Sequence, residues 1–386
     1  MILGIPRETF PGETRVALVP AGVTIAKKLG FDVLVEKGAG LNAGFPDQQY
    51  LDHGARLSES RGEIFQKADV LAQVRGAMAN PQSGMDDLKQ MHPGQILIGF
   101  LDPYAGVEAL KQLASLKLTT FAMELIPRIS RAQSMDALSS QANVAGYKAA
   151  LIAADLLPRM FPMMMTAAGT VAPARVFVVG AGVAGLQAIA TCRRLGAVVQ
   201  AYDIRPAVKE EVQSLGAKFV ELELETQEAE DREGYARAMD EAFYRKQREM
   251  MKRVVGESDV VISTAAVPGK KAPILITEEM IKDMPHGSVV VDLAAERGGN
   301  CDITEPGKIV EKHGVKIVGE TNLAGKVPYH ASQMYSRNIT NFLALIVKEG
   351  QLHMNLEDEI VRDTMLTHEG QITSQRIKEI FGLTEA

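Results

Sequence analysis

The chain has 386 residues, 46% of them apolar, and 42 Lys and Arg against 48 Asp and Glu give a formal net charge of −6. At roughly 150 residues per domain this predicts two or three domains with full hydrophobic cores, which excludes a peptide-sized or disulfide-dependent scaffold. The acidic balance offers no broad positive field, and so argues against a nucleic-acid partner held through its phosphates.

The start, Met1-Ile2-Leu3-Gly4-Ile5-Pro6, reads as a strand with neither a basic n-region nor a cleavage site, so no secretory signal is expected. Short apolar runs bounded by Gly, Pro or Asp recur at 2–5, 33–36, 70–74, 96–100 and 119–123. A second series follows at 175–179, 198–202, 218–222, 260–263, 289–293 and 315–318. Val- and Ile-rich runs alternating with helical patterns predict an α/β chain of two Rossmann-like, doubly wound parallel-sheet domains. Longer helical patterns at 134–157 and 331–349 bridge the two series. If the second bridge returns the chain to its first unit, residues 1–133 plus 330–386 form a discontinuous domain. Residues 134–329 are then inserted into it, and a cleft between the domains is the default ligand position. The most apolar long stretch, 149–174, is broken by Asp155, Arg159 and three prolines, so no membrane-spanning helix is predicted. Cys192 and Cys301 lie far apart without metal-ligand spacing and read as small buried residues in a reducing compartment; no metal is expected.

The segment 221–253 is dense in charge where a βαβ unit needs only a short connection. It is either a solvated helix preceded by an exposed loop, or a mobile lid near 221–240 in which Gly234 and Tyr235 set a flexible point beside an aromatic ring.

The strongest local signal is Gly180-Ala181-Gly182-Val183-Ala184-Gly185, which follows a Val-rich strand and opens an Ala- and Leu-rich helix. Gly180 permits the tight turn, Gly182 lets backbone approach a pyrophosphate, and Gly185 lets helix and strand pack closely. The helix N-terminus then presents N–H groups to the phosphates. Asp203 ends the next strand, where a carboxylate accepts from both ribose hydroxyls and repels a 2′-phosphate; this favours NAD(H), although Arg205 nearby would welcome that phosphate. The glycines at 38, 40 and 44 have the wrong spacing and read as a plain loop.

A dehydrogenase acting on an alcohol or amino acid needs a general acid or base beside the reacting carbon. None of the seven histidines lies in a strand-end motif of the expected type. A polar cluster does stand out at 128–141, after the breaker Pro127. It reads either as a charged loop with Ser134 or Asp136 capping the next helix, or as a nicotinamide-positioning loop in which Gln133 bonds a carboxamide while Arg128 and Asp136 orient it.

At this cluster the sequence becomes recognisable. MELIPRISRAQSMDALSSQANVAGYKA and FPMMMTAAGTVAPARVFVVGAGVAGLQAIATCRRLGA closely resemble the NAD(H)-binding component of proton-translocating NAD(P) transhydrogenase, and the similarity extends from GIPRETFPGETRVALVP to the tail. That family is similar in fold to alanine dehydrogenase. Alanine dehydrogenases carry a lysine in a KVKEP-like stretch, a histidine in an FLHLA-like stretch and an aspartate in VDIAxDxGG; this chain has Arg75, Asp102 and Glu296 there, with Arg15 common to both.

The resemblance implies that Arg128, Gln133, Asp136 and Ser139 hold the nicotinamide and its ribose. It implies that Gly180, Gly182, Val183 and Gly185 cradle the pyrophosphate, that Asp203, Ile204 and Arg205 border the adenosine ribose, and that Gln247 and Ala266 add cofactor contacts. Gly234 and Tyr235 fall in a segment resembling the family's mobile loop. It also implies an NADP(H)-binding subunit and a membrane-spanning subunit as partners, a homodimer, and a peripheral place on the cytoplasmic side of the inner membrane. The alternatives are an alanine dehydrogenase-like oxidoreductase and a non-catalytic NAD(H)-sensing module.

Overall fold

Strands whose two faces are both apolar must be covered on both sides, and successive side chains separate the two covers. In the computed structural model, which describes residues 1–221, 239–266 and 269–383, this holds in each of two units. The first unit is Met1–Gln141 with Gly325–Ala386, and the second is Ala142–Ala324. In the first, Val70, Ala72 and Val74 enter one core while Leu71 enters another across the sheet. In the second, Val176 and Val178 alternate in the same way with Phe177 and Val179.

Among the described residues the first sheet has eight strands. Edge to edge they are Gln371–Ile372, Met365–His368, Thr119–Ala122, Ile96–Phe100, Val70–Arg75, Ile2–Ile5, Asp32–Glu36 and Arg56–Ser58. The strands from Ile2 to Ala122 pair in parallel, and Met365–His368 joins Thr119–Ala122 antiparallel. The chain therefore returns to its first sheet after completing the inserted unit. The return helix Pro328–Ile346 belongs to this core: Tyr335 donates its hydroxyl to the Gln73 carbonyl at 2.8 Å, and the Phe342 ring meets Phe121 edge-on at 5.0 Å.

The second sheet runs Lys218–Phe219, Val198–Tyr202, Arg175–Val179, Val260–Ser263, Val289–Asp292, Val315–Val318 and Ile309–Lys312. Among the described residues of this sheet only the Ile309–Lys312 strand pairs antiparallel. Counted in chain order the parallel strands lie 3-2-1-4-5 and then Val315–Val318, the doubly wound arrangement whose direction reverses between Arg175–Val179 and Val260–Ser263. The antiparallel edges in both sheets are not foreseen from the sequence, because short strands with exposed positions lack a continuous apolar run. The glycine-spaced segment after residue 38 is a loop with a 3-10 turn, Leu41–Ala43, closed by Gly44 in the left-handed region at φ 83°.

A two-stranded hairpin, Met164–Thr166 with Gly169–Val171, stands outside both large sheets and every residue of it is exposed. Among the described residues no helix is long and apolar enough to cross a membrane.

Candidate functional site

The strand order of the second unit puts its crevice beyond the C-terminal ends of Arg175–Val179 and Val260–Ser263. Gly180 leaves the first of these at φ 97°, a conformation that L side chains rarely adopt. A Cβ on Gly180 would lie 2.6 Å from Thr264 Oγ1, and Thr264 uses that hydroxyl to donate to the Gly180 carbonyl at 2.9 Å. The two strand ends are thereby tied together. Gly185 lies one turn along, where a Cβ would fall 1.9 Å from the Gly180 oxygen, so only a glycine lets the helix Val183–Arg194 start this close to the strand. Gly182 differs. It caps that helix in an extended conformation, φ −75° and ψ −168°, and among the described residues a Cβ there would approach only Arg205 Nη2, at 3.9 Å. Among the described residues this face of the turn is open to a large anion, and the first-turn N–H groups of the 12-residue helix, Val183 among them, have no intrahelical carbonyl to satisfy them.

Asp203 follows the end of the strand Val198–Tyr202 and is 7% exposed. Its Oδ2 accepts from the Ala181 N–H at 2.7 Å, inside the glycine-rich turn, and from Arg205 Nη2 at 2.9 Å. Its Oδ1 accepts from the Arg205 backbone N–H at 2.8 Å and Nε at 2.9 Å. Turn, strand end, half-buried Ile204 and Arg205 are thus one assembly. Next to it Gln247, on the inner face of the helix Glu241–Gly256 with Met251 and Val255, donates Nε2 to the Tyr202 hydroxyl at 3.1 Å. Burial pushes that phenol up to about 12, so it remains a neutral donor. Among the described residues the buried Gln247 Oε1 has no hydrogen-bond partner, an unmet acceptor of the kind a ligand's amino or hydroxyl group satisfies. These residues fit a dinucleotide. Ala266 is exposed just past the Thr264 tie. Gly234 and Tyr235, with the rest of the expected lid from 222 to 238, lie outside the described residues.

Two residues that sequence reasoning passed over support this wall. Asp292, fully buried at the end of Val289–Asp292, accepts from the backbone N–H groups of Ala294, Asn300 and Cys301 and from the hydroxyls of Ser263 and Thr304. Asn300 in turn accepts from the Ala265 N–H at 3.0 Å and donates to the Ala265 and Pro273 carbonyls at 2.8 and 2.9 Å. The segment carrying Thr264 and Ala265 is held from both sides. The signal was present as an acid ending a Val-rich strand, beside Asn in GGNC.

The polar cluster belongs to the first unit. After the strand Thr119–Ala122 it forms a 3-10 turn, Ser130–Met135, leading into the helix Ala137–Leu156. Asp136 caps that helix, accepting from the Ser139 N–H at 2.8 Å and its hydroxyl at 2.5 Å. The loop is pinned below. Ala132 and Met135 are buried, the Ser134 carbonyl accepts from the side chains of Asn338 and Asn341 at 3.0 Å each, and Arg131 pairs with both oxygens of Asp358 at 2.7 Å. Gln133 is exposed on this pinned turn, and Arg128 is exposed just before it. Asp136 and Ser139 therefore fix the helix start, whereas Arg128 and Gln133 present their side chains outward.

A second cluster of the first unit surrounds the positions that separate the two related enzyme classes. Arg15 is 4% exposed and grips Glu13 through Nε at 2.8 Å and Nη2 at 2.7 Å, while Nη1 donates to Gln141 Oε1 at 2.8 Å. Arg75 Nε lies 3.4 Å from the same Glu13, with its guanidinium over the Phe10 ring. Burial alone raises the Glu13 carboxyl, but the Arg15 guanidinium outweighs it and holds the group down at about 2. Glu8 lies close by and accepts from the Val74 and Arg75 N–H groups; burial, reinforced by the negative Glu13, pushes it up to about 8. Burial also pushes Glu124 up to about 7, against the two N–H bonds it accepts from Leu101 and Asp102. Asp102 itself sits at φ 49° just after the strand Ile96–Phe100. Glu296 is exposed in a 3-10 turn of the second unit.

Comparison with known proteins identifies a family for the chain. The family described as Alanine dehydrogenase/PNT matches in two segments, its N-terminal domain over residues 4–145 and its C-terminal domain over 149–375. The first part of NAD(P) transhydrogenase subunit alpha of Rhodospirillum rubrum is 48% identical over 375 residues, covering 96% of this chain and 97% of that protein. A transhydrogenase crystal structure from Sinorhizobium meliloti superposes with a TM-score of 0.85 at 48% identity, covering 96% of this chain and 100% of that one. An L-alanine dehydrogenase structure shares the fold, with a TM-score of 0.81 at 24% identity over 99% of each chain.

Proposed function

Because the chain belongs to the alanine dehydrogenase/PNT family and matches the first part of transhydrogenase subunit alpha along nearly its whole length, we propose that it is the NAD(H)-binding component of a proton-translocating NAD(P) transhydrogenase. The observation that carries the choice over alanine oxidation is Asp102, which stands where alanine dehydrogenases have their histidine. Oxidising an amine requires a base at the reacting carbon; exchanging hydride between two nicotinamides moves no proton there, so no such group is needed.

In this reading the second unit binds the dinucleotide. The turn at Gly182 and the N-terminus of the helix Val183–Arg194 receive the pyrophosphate, Asp203 recognises the adenosine ribose, and Gln247 Oε1 and the segment at Ala266 complete the contacts. The nicotinamide supplies the hydride-carrying carbon. Gln133 and Arg128, projecting from a turn fixed by Asp136, Ser139 and the Arg131–Asp358 pair, orient the carboxamide so that the carbon faces its acceptor. Orientation of this kind is where a reaction without proton transfer gains its rate.

The acceptor, NADP⁺, is held by a separate subunit, and a third, membrane-spanning subunit couples the exchange to proton movement on the cytoplasmic face of the inner membrane. The chain pairs with a second copy through the hairpin Met164–Thr166 and Gly169–Val171. An isolated two-stranded ribbon is marginal in water, and Met163 and Met165 beside and within it are 61% and 75% exposed.

The test mixes the purified chain with a transhydrogenase NADP(H)-binding component and follows hydride exchange from NADH. Exchange in the mixture and none from either component alone is expected. NADH binding without exchange would sink the proposal and leave a sensing module. NAD-dependent formation of pyruvate from alanine by the chain alone would establish the dehydrogenase instead.

A further inference from the structure

Gln133 stands on a turn whose backbone is held by a distant part of the chain. Its own carbonyl accepts from the Asp136 N–H at 3.3 Å, which closes the turn locally. The next carbonyl, that of Ser134, accepts from outside: Asn338 Nδ2 and Asn341 Nδ2 each donate to it at 3.0 Å. A carbonyl oxygen has two lone pairs, so both are taken, and the peptide plane that follows Ser134 is fixed in two directions. The two asparagines lie three apart, on one face of the return helix Pro328–Ile346. Asparagine disfavours a helix interior because its side chain competes for nearby backbone bonds. Here both amides reach out of the helix to one carbonyl instead.

Asn338 makes a second bond as well. It is 5% exposed, and its Oδ1 accepts from the Ser140 hydroxyl at 2.7 Å. Ser140 lies in the first turn of the helix Ala137–Leu156, so a single amide joins the turn, the helix that follows it and the return helix. The Ser134 carbonyl needs a donor, which fixes the orientation of that amide. The return helix is itself firmly seated: Tyr335, Ile339, Phe342 and Leu343 are fully buried in the first core, and the hydroxyls of Ser332 and Ser336 accept from the Val16 and Val19 N–H groups at 3.0 and 3.2 Å.

We propose that Asn338 is a positioning residue for hydride transfer: through the Ser134 carbonyl it sets the backbone from which Gln133 reaches the nicotinamide, with Asn341 as a second hold on the same oxygen. The proposal rests on Gln133 as the carboxamide ligand of the transhydrogenase reaction proposed above. Asn338 acts through Gln133 and not on the nucleotide. Its loss therefore falls on the rate of exchange at saturating NADH and leaves affinity nearly untouched.

The experiment mixes the full chain with a transhydrogenase NADP(H)-binding component and measures the exchange rate at saturating NADH, beside the NADH dissociation constant, for Asn338→Ala, Gln133→Ala and the double variant. Alanine is the better helix former, so the return helix accommodates it. Asn338→Ala should slow exchange about tenfold or more while NADH affinity stays within about twofold. Added to Gln133→Ala it should cost less than about twofold, because the displaced turn no longer carries the side chain on which it acts. Undiminished exchange by Asn338→Ala, an equal loss of rate and affinity, or a full second loss in the double variant overturns the proposal, since a merely structural asparagine would slow both backgrounds alike. Should Asn338→Ala fail to fold, Asn341→Ala repeats the comparison on the same carbonyl from a half-buried position, and the same results decide. Absence of exchange by the unmodified chain would instead refute the transhydrogenase reading, and exchange that survives Gln133→Ala undiminished would refute the role of Gln133, so these failures are separable.

Discussion

The three glycines of one short motif carry different physical demands, and alanine substitutions separate them. At Gly185 the added Cβ would stand 1.9 Å from the Gly180 carbonyl oxygen and 2.9 Å from its carbon, whereas ordinary contact begins near 3.4 Å. Helix and turn must separate by roughly 1.5 Å, the difference of those distances, and the partner is backbone that has no rotamer to change. The helix cannot retreat freely, because Ala188, Ile189 and Cys192 on its inner face are fully buried in the second-unit core. Overpacking of this kind costs about 1–3 kcal/mol, which for a unit of this size lowers the melting temperature by roughly 2–12 °C. At Gly182 the backbone is already in a region open to any residue, and among the described residues the new Cβ meets nothing closer than 3.9 Å. Gly182→Ala should therefore leave stability unchanged or raise it by about 0.4–1 kcal/mol through the unfolded chain. Its methyl nevertheless occupies the face where the pyrophosphate must approach, and NADH affinity should fall about tenfold or more. Calorimetric melting paired with NADH titration reads both. A Gly182→Ala chain that binds NADH normally would refute the close-approach assignment, and a Gly185→Ala chain with unchanged melting would refute the packing assignment.

Three further outcomes are expected. Gln133→Asn should slow reconstituted hydride exchange far more than it weakens NADH binding, because a misplaced nicotinamide loses near-attack geometry; equal losses would make Gln133 a plain affinity contact. Glu8, raised from 4.5 to about 8, favours the fold in its protonated form, so its contribution is complete below about pH 4.5 and is lost as pH rises through about 8. Glu8→Gln forfeits one of the two N–H bonds at every pH but should remove this slope, up to about 5 kcal/mol across the interval; an unaltered pH profile in urea melts would show that Glu8 is not the group. Replacing Met163 and Met165 together by serine should shift the chain from dimer toward monomer in light scattering, with melting of the core units preserved; an unchanged mass would move the proposed interface elsewhere.

The strands are readable because burial on both faces leaves a continuous apolar run, as in Arg175–Val179 and Val289–Asp292, where the apolar residues fill the positions of both cores. The edge strands Ile309–Lys312 and Gln371–Ile372 are not, since exposed positions remove the pattern and pairing partners lie far away in sequence. At the site, the glycine motif is legible because each glycine answers a local backbone requirement. The supports are harder. Asp292 and Asn300 act through bonds to backbone distant in sequence, and Glu8, Glu13 and Arg15 form a cluster whose logic depends on Arg75 and Gln141. Gly146 is an intermediate case: a glycine inside a helical pattern, it lets the helix Ala137–Leu156 approach the Ala184 carbonyl, 2.0 Å from where a Cβ would be. For Asp136 the sequence allows both a cap and a functional role, and its bonds to Ser139 make it a helix cap whose consequence is the fixed placement of Gln133.

Carboxyls poised near neutrality usually invite a catalytic assignment, and here that inference fails on geometry. Glu124 is raised to about 7, yet its Oε1 accepts the N–H groups of Leu101 and Asp102 and its Oε2 is buried without a partner. It is a tether for the turn that follows the strand Ile96–Phe100, where Asp102 adopts a positive φ that a free chain would avoid. Glu8 plays the same role for the backbone of Val74 and Arg75. Glu8 and Glu124 thus hold strand ends in place, while Glu13, paired with Arg15, has its charge satisfied internally. A chain that exchanges hydride without exchanging a proton needs its first unit to be a rigid mount for the Arg128–Gln133 turn, and using its titratable groups as backbone anchors is consistent with that requirement.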